Sequence, residues 1–196
     1  MQGKDKQTPA SQAPKLVADR ILNDTYARFG KVIIERDFQM PDGQVLPILC
    51  VANSGMDPFI IFALTEQKTV FLVNQFRFGT NEWLLELPGG NPKAGQTWEE
   101  GVQAELLEEV GAEAHEVKII GTPMPFDPAL GNARFTAVLA TGCRIVRPQH
   151  LGSAEIMTIK ELPVTKFREM LKNGKITDAK TVAAGYLALD HLGLLE

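Results

Sequence analysis

Between Gly90 and Gly111 the residues leave little freedom about local structure. Gly90-Asn91-Pro92-Lys93-Ala94-Gly95-Gln96 is a glycine-bounded loop, and it leads into Ala104-Glu105-Leu106-Leu107-Glu108-Glu109-Val110-Gly111. Thr97 and Glu100 form a capping box, which predicts a helix start. Val102, Leu106 and Val110 recur every four residues, with Trp98 one turn earlier, and form its buried stripe. Gly111 falls where a left-handed C-cap is expected. Glu105, Glu108 and Glu109 lie off that stripe. Residues three and four apart share a helix face, so these carboxylates can converge on one point. Anions held so close repel one another unless something positive joins them. Hard divalent cations such as Mg²⁺ prefer oxygen ligands and usually bridge to phosphate. The pattern reads as a phosphate-directed metal site; the plainer alternative is a solvated acidic helix face.

The 196 residues suit one domain with a sizeable core. The net charge of −4 argues against general nucleic-acid binding, which wants a basic surface. No apolar run reaches the length of a membrane span. Cys50 and Cys143 are isolated and read as buried thiols rather than a disulfide or metal knuckle. Met1 to Lys15 is polar and expected to be disordered. It lacks the apolar core of a signal peptide. The default location is cytoplasmic; a periplasmic one follows if the tail trails a removed export signal.

Short apolar runs alternate with turn signals from Val17 to Val51, notably Lys31–Arg36 and Val45–Val51 on either side of Pro41-Asp42-Gly43. This spacing predicts a small antiparallel sheet. Strands are expected at Phe59–Leu64, Thr69–Phe76 and Trp83–Pro88 before the acidic helix, and at Val117–Ile120, Phe135–Ala140 and Ile156–Ile159 after it. Two helices, Val164–Asn173 and Asp178–Leu192, close the chain, with Gly174 as a C-cap signal. The order implies an α/β/α sandwich, in which a mixed sheet is covered on both faces. The expected divisions are a tail at 1–16, an N-terminal sheet at 17–56 and a main domain at 57–196.

The glycine-to-glycine segment resembles the box of the Nudix hydrolases: glycine, five residues, glutamate, seven residues, then Arg-Glu-aliphatic-x-Glu-Glu-x-Gly-aliphatic. Gly90, Glu105, Leu106, Glu108, Glu109 and Gly111 fall in register. Gln96 replaces the first glutamate, Ala104 the arginine, and Ala112 the last bulky aliphatic residue. The first two losses remove opposite charges, so neither strands a partner. Val73-Asn74-Gln75-Phe76-Arg77-Phe78 and Trp83 to Gly90 resemble the stretch before the box in enzymes acting on ADP-ribose and nucleotide sugars. Glu161-Leu162-Pro163 and Lys175 to Thr181 look like their C-terminal helices. The resemblance implies an N-terminal sheet used in a swapped homodimer; exposed apolar strands want a partner on general grounds too.

Glu105 and Glu109 are expected to act as Mg²⁺ ligands (Mn²⁺ being an alternative) and catalytic carboxylates, with Glu108 completing a second metal site. The carbonyl of Gly89 or Gly90 is a further candidate ligand, because glycine lets backbone approach closely; the resemblance assigns it to Gly89. Glu155 is the only carboxylate in Gln149–Glu155, the loop that often supplies the general base in related enzymes; otherwise it is a solvated loop end. His150 is a lesser alternative. Arg77 suits diphosphate oxygens, or else forms a salt bridge to Glu82 or Glu86. Phe76 either stacks on a base or packs the core. Asp178 and Lys180 resemble the Asp-x-Lys of GDP-mannose-type hydrolases, although Asp178 also suits a helix N-cap and Lys180 a solvated first turn. Phe126 to Asn132 replaces the Ser-Pro-Gly loop common in ADP-ribose pyrophosphatases.

The implied activity is Mg²⁺-dependent hydrolysis of nucleoside diphosphate sugars, of the ADP-ribose or GDP-mannose type, to nucleoside monophosphate and sugar phosphate. The alternatives are a dedicated ADP-ribose pyrophosphatase and a weakly catalytic nucleotide-sugar-binding module.

Overall fold

The computed structural model describes residues 13–25, 27, 30–53, 55–152 and 155–195. Residues 1–12, most of the stretch expected to be disordered, lie outside them. The chain divides into two compact units, one from Met1–Gly55 with Asp127–Ala133, the other from Met56–Phe126 with Arg134–Glu196.

The first unit is a three-stranded antiparallel sheet in the order β1 (Lys15–Asn23), β2 (Lys31–Gln39), β3 (Val45–Asn53). The first strand begins two residues before the expected start of the sheet at Val17. Its pairing with β2 shifts register twice, between Leu16 and Ala18 and between Ile21 and Asn23. Arg20 pairs across the sheet with Asp37 at 2.9 Å and with Glu35. The inserted loop 127–133 lies along β3: the Val51 N–H donates to the Leu130 carbonyl at 2.9 Å, and the Asn53 N–H to Asn132 Oδ1 at 2.7 Å. Leu16, Val17, Ile21, Leu22, Val45 and Leu49 all remain exposed.

The second unit contains β4 (Phe59–Leu64), β5 (Thr69–Arg77), β6 (Glu82–Glu86), α1 (Trp98–Glu105), β7 (Ala112–Glu113), β8 (Glu116–Ile119), β9 (Met124–Pro125), β10 (Arg134–Thr141), β11 (Arg144–Ile145), β12 (Met157–Pro163), α2 (Val164–Lys172) and α3 (Ala179–His191). The main sheet runs β12-β5-β4-β10-β8, with β6 also on β5 and β9 on β10. Its β4–β10 pair is parallel and its other pairs are antiparallel, so the sheet is mixed.

Successive strand residues point to opposite faces, and β4 shows the result. Phe59, Ile61 and Ala63 pack with Phe71, Val73, Val102, Leu106 and Val110. Ile60, Phe62 and Leu64 pack with Val70, Leu72, Phe167, Leu171, Ala184 and Leu189. The acidic helix therefore covers one face and the two closing helices the other, as the sequence predicts. Phe62 meets Phe167 edge-on at 5.5 Å.

Three details differ from expectation. The box helix is α-helical only to Glu105; Leu106–Val110 forms a π-helical turn. Gly111 ends it with φ 74°, its N–H reaching back five residues to the Leu106 carbonyl. A crossing segment takes the carbonyls left over: the Val146 N–H donates to Gly111 at 2.8 Å and the His150 N–H to Glu108 at 2.8 Å. Second, Glu161–Pro163 ends β12 instead of joining the C-terminal helices, since its backbone pairs with β5 from Thr69 to Phe71. Third, β7, β9 and β11 are two-residue strands, too short to show any alternation.

Candidate active site

The site starts where β6 runs out. After Glu86 the chain lies beside the start of β4: the Ile61 N–H donates to the Pro88 carbonyl and the Phe59 N–H to the Gly90 carbonyl, both at 2.9 Å. A side chain at Gly89 would collide with the Phe59 carbonyl, and one at Gly90 with the carboxylate of Glu105. At Gly89 the obstacle is strand backbone, so only glycine permits the approach; at Gly90 a side chain would push the Glu105 carboxylate from its place. The Gly89 N–H donates to Glu109 Oε2 at 2.9 Å. The Gly90 carbonyl is engaged by β4, while the Gly89 carbonyl accepts no hydrogen bond from the described residues.

Two carboxylates therefore rest against this glycine ledge. Glu109 is only 5% exposed. Burial pushes its carboxyl up to about 8, with Glu105 and Glu155 adding to the rise while the Gly89 N–H and Arg77 oppose it. Glu105 is pushed up to about 7, again by burial first, then by Glu108 and Glu155, with Lys93 opposing. Glu155 is thus close enough to bear on both. Its own carboxylate accepts the Gly152 N–H at 2.6 Å. Glu108 is held differently, in an ion pair with Lys93 of the glycine loop. Among the described residues no three His, Cys, Asp or Glu side chains are gathered closely enough to hold a metal ion together. The oxygen donors on the ledge, Glu105, Glu109 and the Gly89 carbonyl, are of the kind a hard divalent cation takes. Their crowded charge is the kind it relieves.

A second group of charges borders the first. Arg77 grips Glu86 with both ends of its fork, Nε to Oε1 at 2.6 Å and Nη2 to Oε2 at 2.7 Å. Of the two sequence alternatives for a salt bridge, Glu86 is the partner. Lys180 stands 3.7 Å from Glu86 Oε2, pairs with Asp178, and lies over the ring of Phe126 at 5.6 Å. Asp178 also caps α3, accepting the Thr181 N–H at 2.8 Å. Phe76 belongs to neither core; it sits half-buried in an edge-on group with Phe78 and Trp83. His150 presents an exposed side chain and reaches the box through its backbone. Gln96 acts within the loop, its Oε1 accepting the Lys93 N–H at 2.8 Å.

Sequence reasoning missed Lys93 as the cation beside the acidic group and Thr181 as the link to the ledge. The Thr181 hydroxyl accepts the Leu87 N–H at 2.9 Å. Neither contact has a local signature; 15 residues separate Lys93 from Glu108 and 94 separate Leu87 from Thr181.

A mixed sheet covered by helices on both faces, with a glycine loop running into an acidic helix, is an α/β/α sandwich carrying a candidate site at that helix. The NUDIX domain matches residues 56–184, and the chain belongs to the Nudix family and is a Nudix hydrolase. It is similar to the GDP-mannose pyrophosphatases of Escherichia coli O1:K1 / APEC and of Escherichia coli strain K12. Each is 31% identical over 192 residues, covering 93% of this chain and 98% of the relative. A solved structure described as an ADP compounds hydrolase shares the fold with a TM-score of 0.77 at 18% identity, covering 93% of this chain and 97% of the other.

The raised carboxyls carry a pH consequence. Between the ordinary value of 4.5 and about 8, Glu109 is more protonated in the folded than in the unfolded chain. The Glu109 contribution to stability then falls as pH rises through that window, and Glu105 adds in the same direction up to about 7. With a chelator present, the Tm is expected to drop from pH 5 to pH 8, with a smaller drop in Glu109→Gln. Equal drops in the two proteins would refute the assignment.

Proposed function

We propose that the chain is a Mg²⁺-dependent pyrophosphatase that splits nucleoside diphosphate sugars into nucleoside monophosphate and sugar phosphate. The observation that carries this reading is the glycine ledge holding Glu105 and Glu109, bordered by Arg77 and Lys180. The similarity to the GDP-mannose pyrophosphatases favours a sugar of that type, with ADP-ribose among the substrates.

In this reading Glu105, Glu109 and the Gly89 carbonyl would hold Mg²⁺ (Mn²⁺ serving as well), with Glu108 beside them, and a cation held there would supply neutralisation of the diphosphate oxygens and acidification of a water. Arg77 and Lys180 hold the diphosphate, Asp178 fixes Lys180, and Phe76 offers an aromatic edge toward the nucleoside or sugar. Glu155 takes the proton from the attacking water. What supports this role is that the Glu155 charge is felt by both Glu105 and Glu109. Water adds to one phosphorus, the bridging oxygen leaves with the other phosphate, and the proton passes to Glu155 and on to solvent.

A panel of nucleoside diphosphate sugars with Mg²⁺, read as released phosphomonoester, tests the activity. Glu109→Gln is expected to lower kcat by about 100-fold or more, as loss of a major electrostatic contributor does. A folded variant with full activity at low Mg²⁺ would overturn the site.

Lys180→Ala is expected to lower kcat/KM for GDP-mannose more than for ADP-ribose. Loss of a charge-assisted hydrogen bond corresponds to about 1.5–3 kcal/mol. Unchanged kinetics on both substrates would return Lys180 to a structural role with Asp178.

The apolar residues left exposed on β1 and β3 support a homodimer through the N-terminal sheet. Sedimentation velocity should report twice the chain mass, and Leu49→Asp, at an exposed β3 position, should shift it toward the monomer. A monomeric parent protein would rule the dimer out.

A further inference from the structure

We infer that Glu86 is a positioning residue, an internal counter-anion that sets Arg77 and Lys180 as a paired edge for a diphosphate. The inference rests on the reading above only in taking the anion to be a diphosphate.

Glu86 is 2% exposed, the most buried carboxylate among the described residues. A buried ion pair gives little net stability over well-packed apolar residues, so packing alone gives little reason for a carboxylate here. Both of its oxygens are engaged. Oε1 and Oε2 accept the Arg77 fork at 2.6 and 2.7 Å, and Oε2 also faces Lys180 at 3.7 Å. The charges are layered. The side chains of Glu86 and Asp178 are 2% and 7% exposed, whereas those of Lys180 and Arg77 are 20% and 40% exposed. The anions lie beneath and the cations face outward, so an incoming ligand meets positive charge although the four groups sum to zero.

Two further observations point the same way. The Arg77 Nη1 has no hydrogen-bond partner among the described residues, its Nε and Nη2 being taken by Glu86. A guanidinium fixed along one edge keeps its other donors aimed, and Arg recognises phosphate through such fixed donors while Lys serves as a point charge. Arg77 also lies in the field of Glu109, whose carboxylate accepts the Gly89 N–H. The frame behind it is braced, because the residue after Glu86 donates its N–H to Thr181 at 2.9 Å, one position beyond Lys180. Strand β5 supplies Arg77, its partner β6 supplies Glu86 and the first turn of α3 supplies Lys180, so the three are carried on hydrogen-bonded elements. Glu86 itself faces inward and does not touch the ligand.

The test uses the full chain with Mg²⁺ and ADP as a probe, measured by calorimetry, beside steady-state kinetics on GDP-mannose. Glu86→Gln keeps the shape and removes the charge. ADP binding is expected to weaken by about tenfold or more, the scale of a misplaced charge-assisted contact, and KM to rise while kcat stays within about twofold. In an Arg77→Ala/Lys180→Ala background the same change should have no further effect. If Glu86→Gln fails to fold by circular dichroism, Glu86→Asp withdraws the charge by one methylene, and the same loss is expected. ADP affinity equal to the parent's would overturn the inference. So would a full additional loss in the double-variant background, a fall in kcat at constant KM, or a parent that does not bind ADP. Failure to hydrolyse any nucleotide sugar, with ADP binding still sensitive to Glu86, would overturn the substrate reading and leave the positioning role standing.

Discussion

Everything at the site depends on one close approach. The Pro88–Gly90 backbone is hydrogen-bonded to the start of β4, and two glutamates of the following helix press against its other side. A single methyl group at Gly89 would have to displace strand backbone. One at Gly90 would have to displace Glu105. The acidic helix is therefore located by main chain rather than by side-chain packing alone. The buried stripe of Val102, Leu106 and Val110 then fixes its roll on the sheet.

That approach has an electrostatic cost, and the structure spreads it over distinct cations. Glu105 and Glu109 are crowded and desolvated, and both have raised carboxyls. Glu108, more exposed, takes Lys93 from the loop. Glu86 takes Arg77 from the neighbouring strand. The two groups differ in what they leave open. Around Glu86 the negative charge is covered and the positive charge is outward. On the ledge the negative charge itself is what a ligand would meet. In the proposed reading, a polyanionic substrate would approach the first directly, and the second only with a divalent cation between.

Local chemistry was readable in the residues; distant pairing was not. Thr97, Glu100 and Gly111 gave the ends of the box helix because a cap involves neighbours within one turn. The alternation through Phe59–Leu64 and Thr69–Phe76 gave the two-sided sheet, and the helical spacing of the last 30 or so residues gave both closing helices, since such periodicity is the chief signal of secondary structure. The π-helical turn was hidden: the carbonyls of Glu108 and Gly111 are taken by His150 and Val146 of a segment distant in sequence. Glu161–Pro163 belongs to the sheet because its backbone pairs with β5, a distant partner that its own residues do not reveal, and α2 begins only after Pro163. Glu105 and Glu109 stood out by type and spacing, and Asp178 was recognised as a cap. Lys93 lay in plain view within the loop, but nothing in its neighbours says which carboxylate it will reach.

The two-sided alternation of β4 also governs how such a chain can vary. Each residue from Phe59 to Leu64 is committed to one of two separate cores, and the same strand hydrogen-bonds to the ledge at its beginning and to β10 in parallel along its length. Changes of side-chain size here can be absorbed by repacking. A one-residue insertion cannot, because it sends every following side chain to the opposite face and slides the glycines off their carboxylates. Strand β1, with its two register shifts, already accommodates such irregularity. Descendants of this chain should accordingly drift in length at their N-terminal sheet and in composition, but not length, at β4.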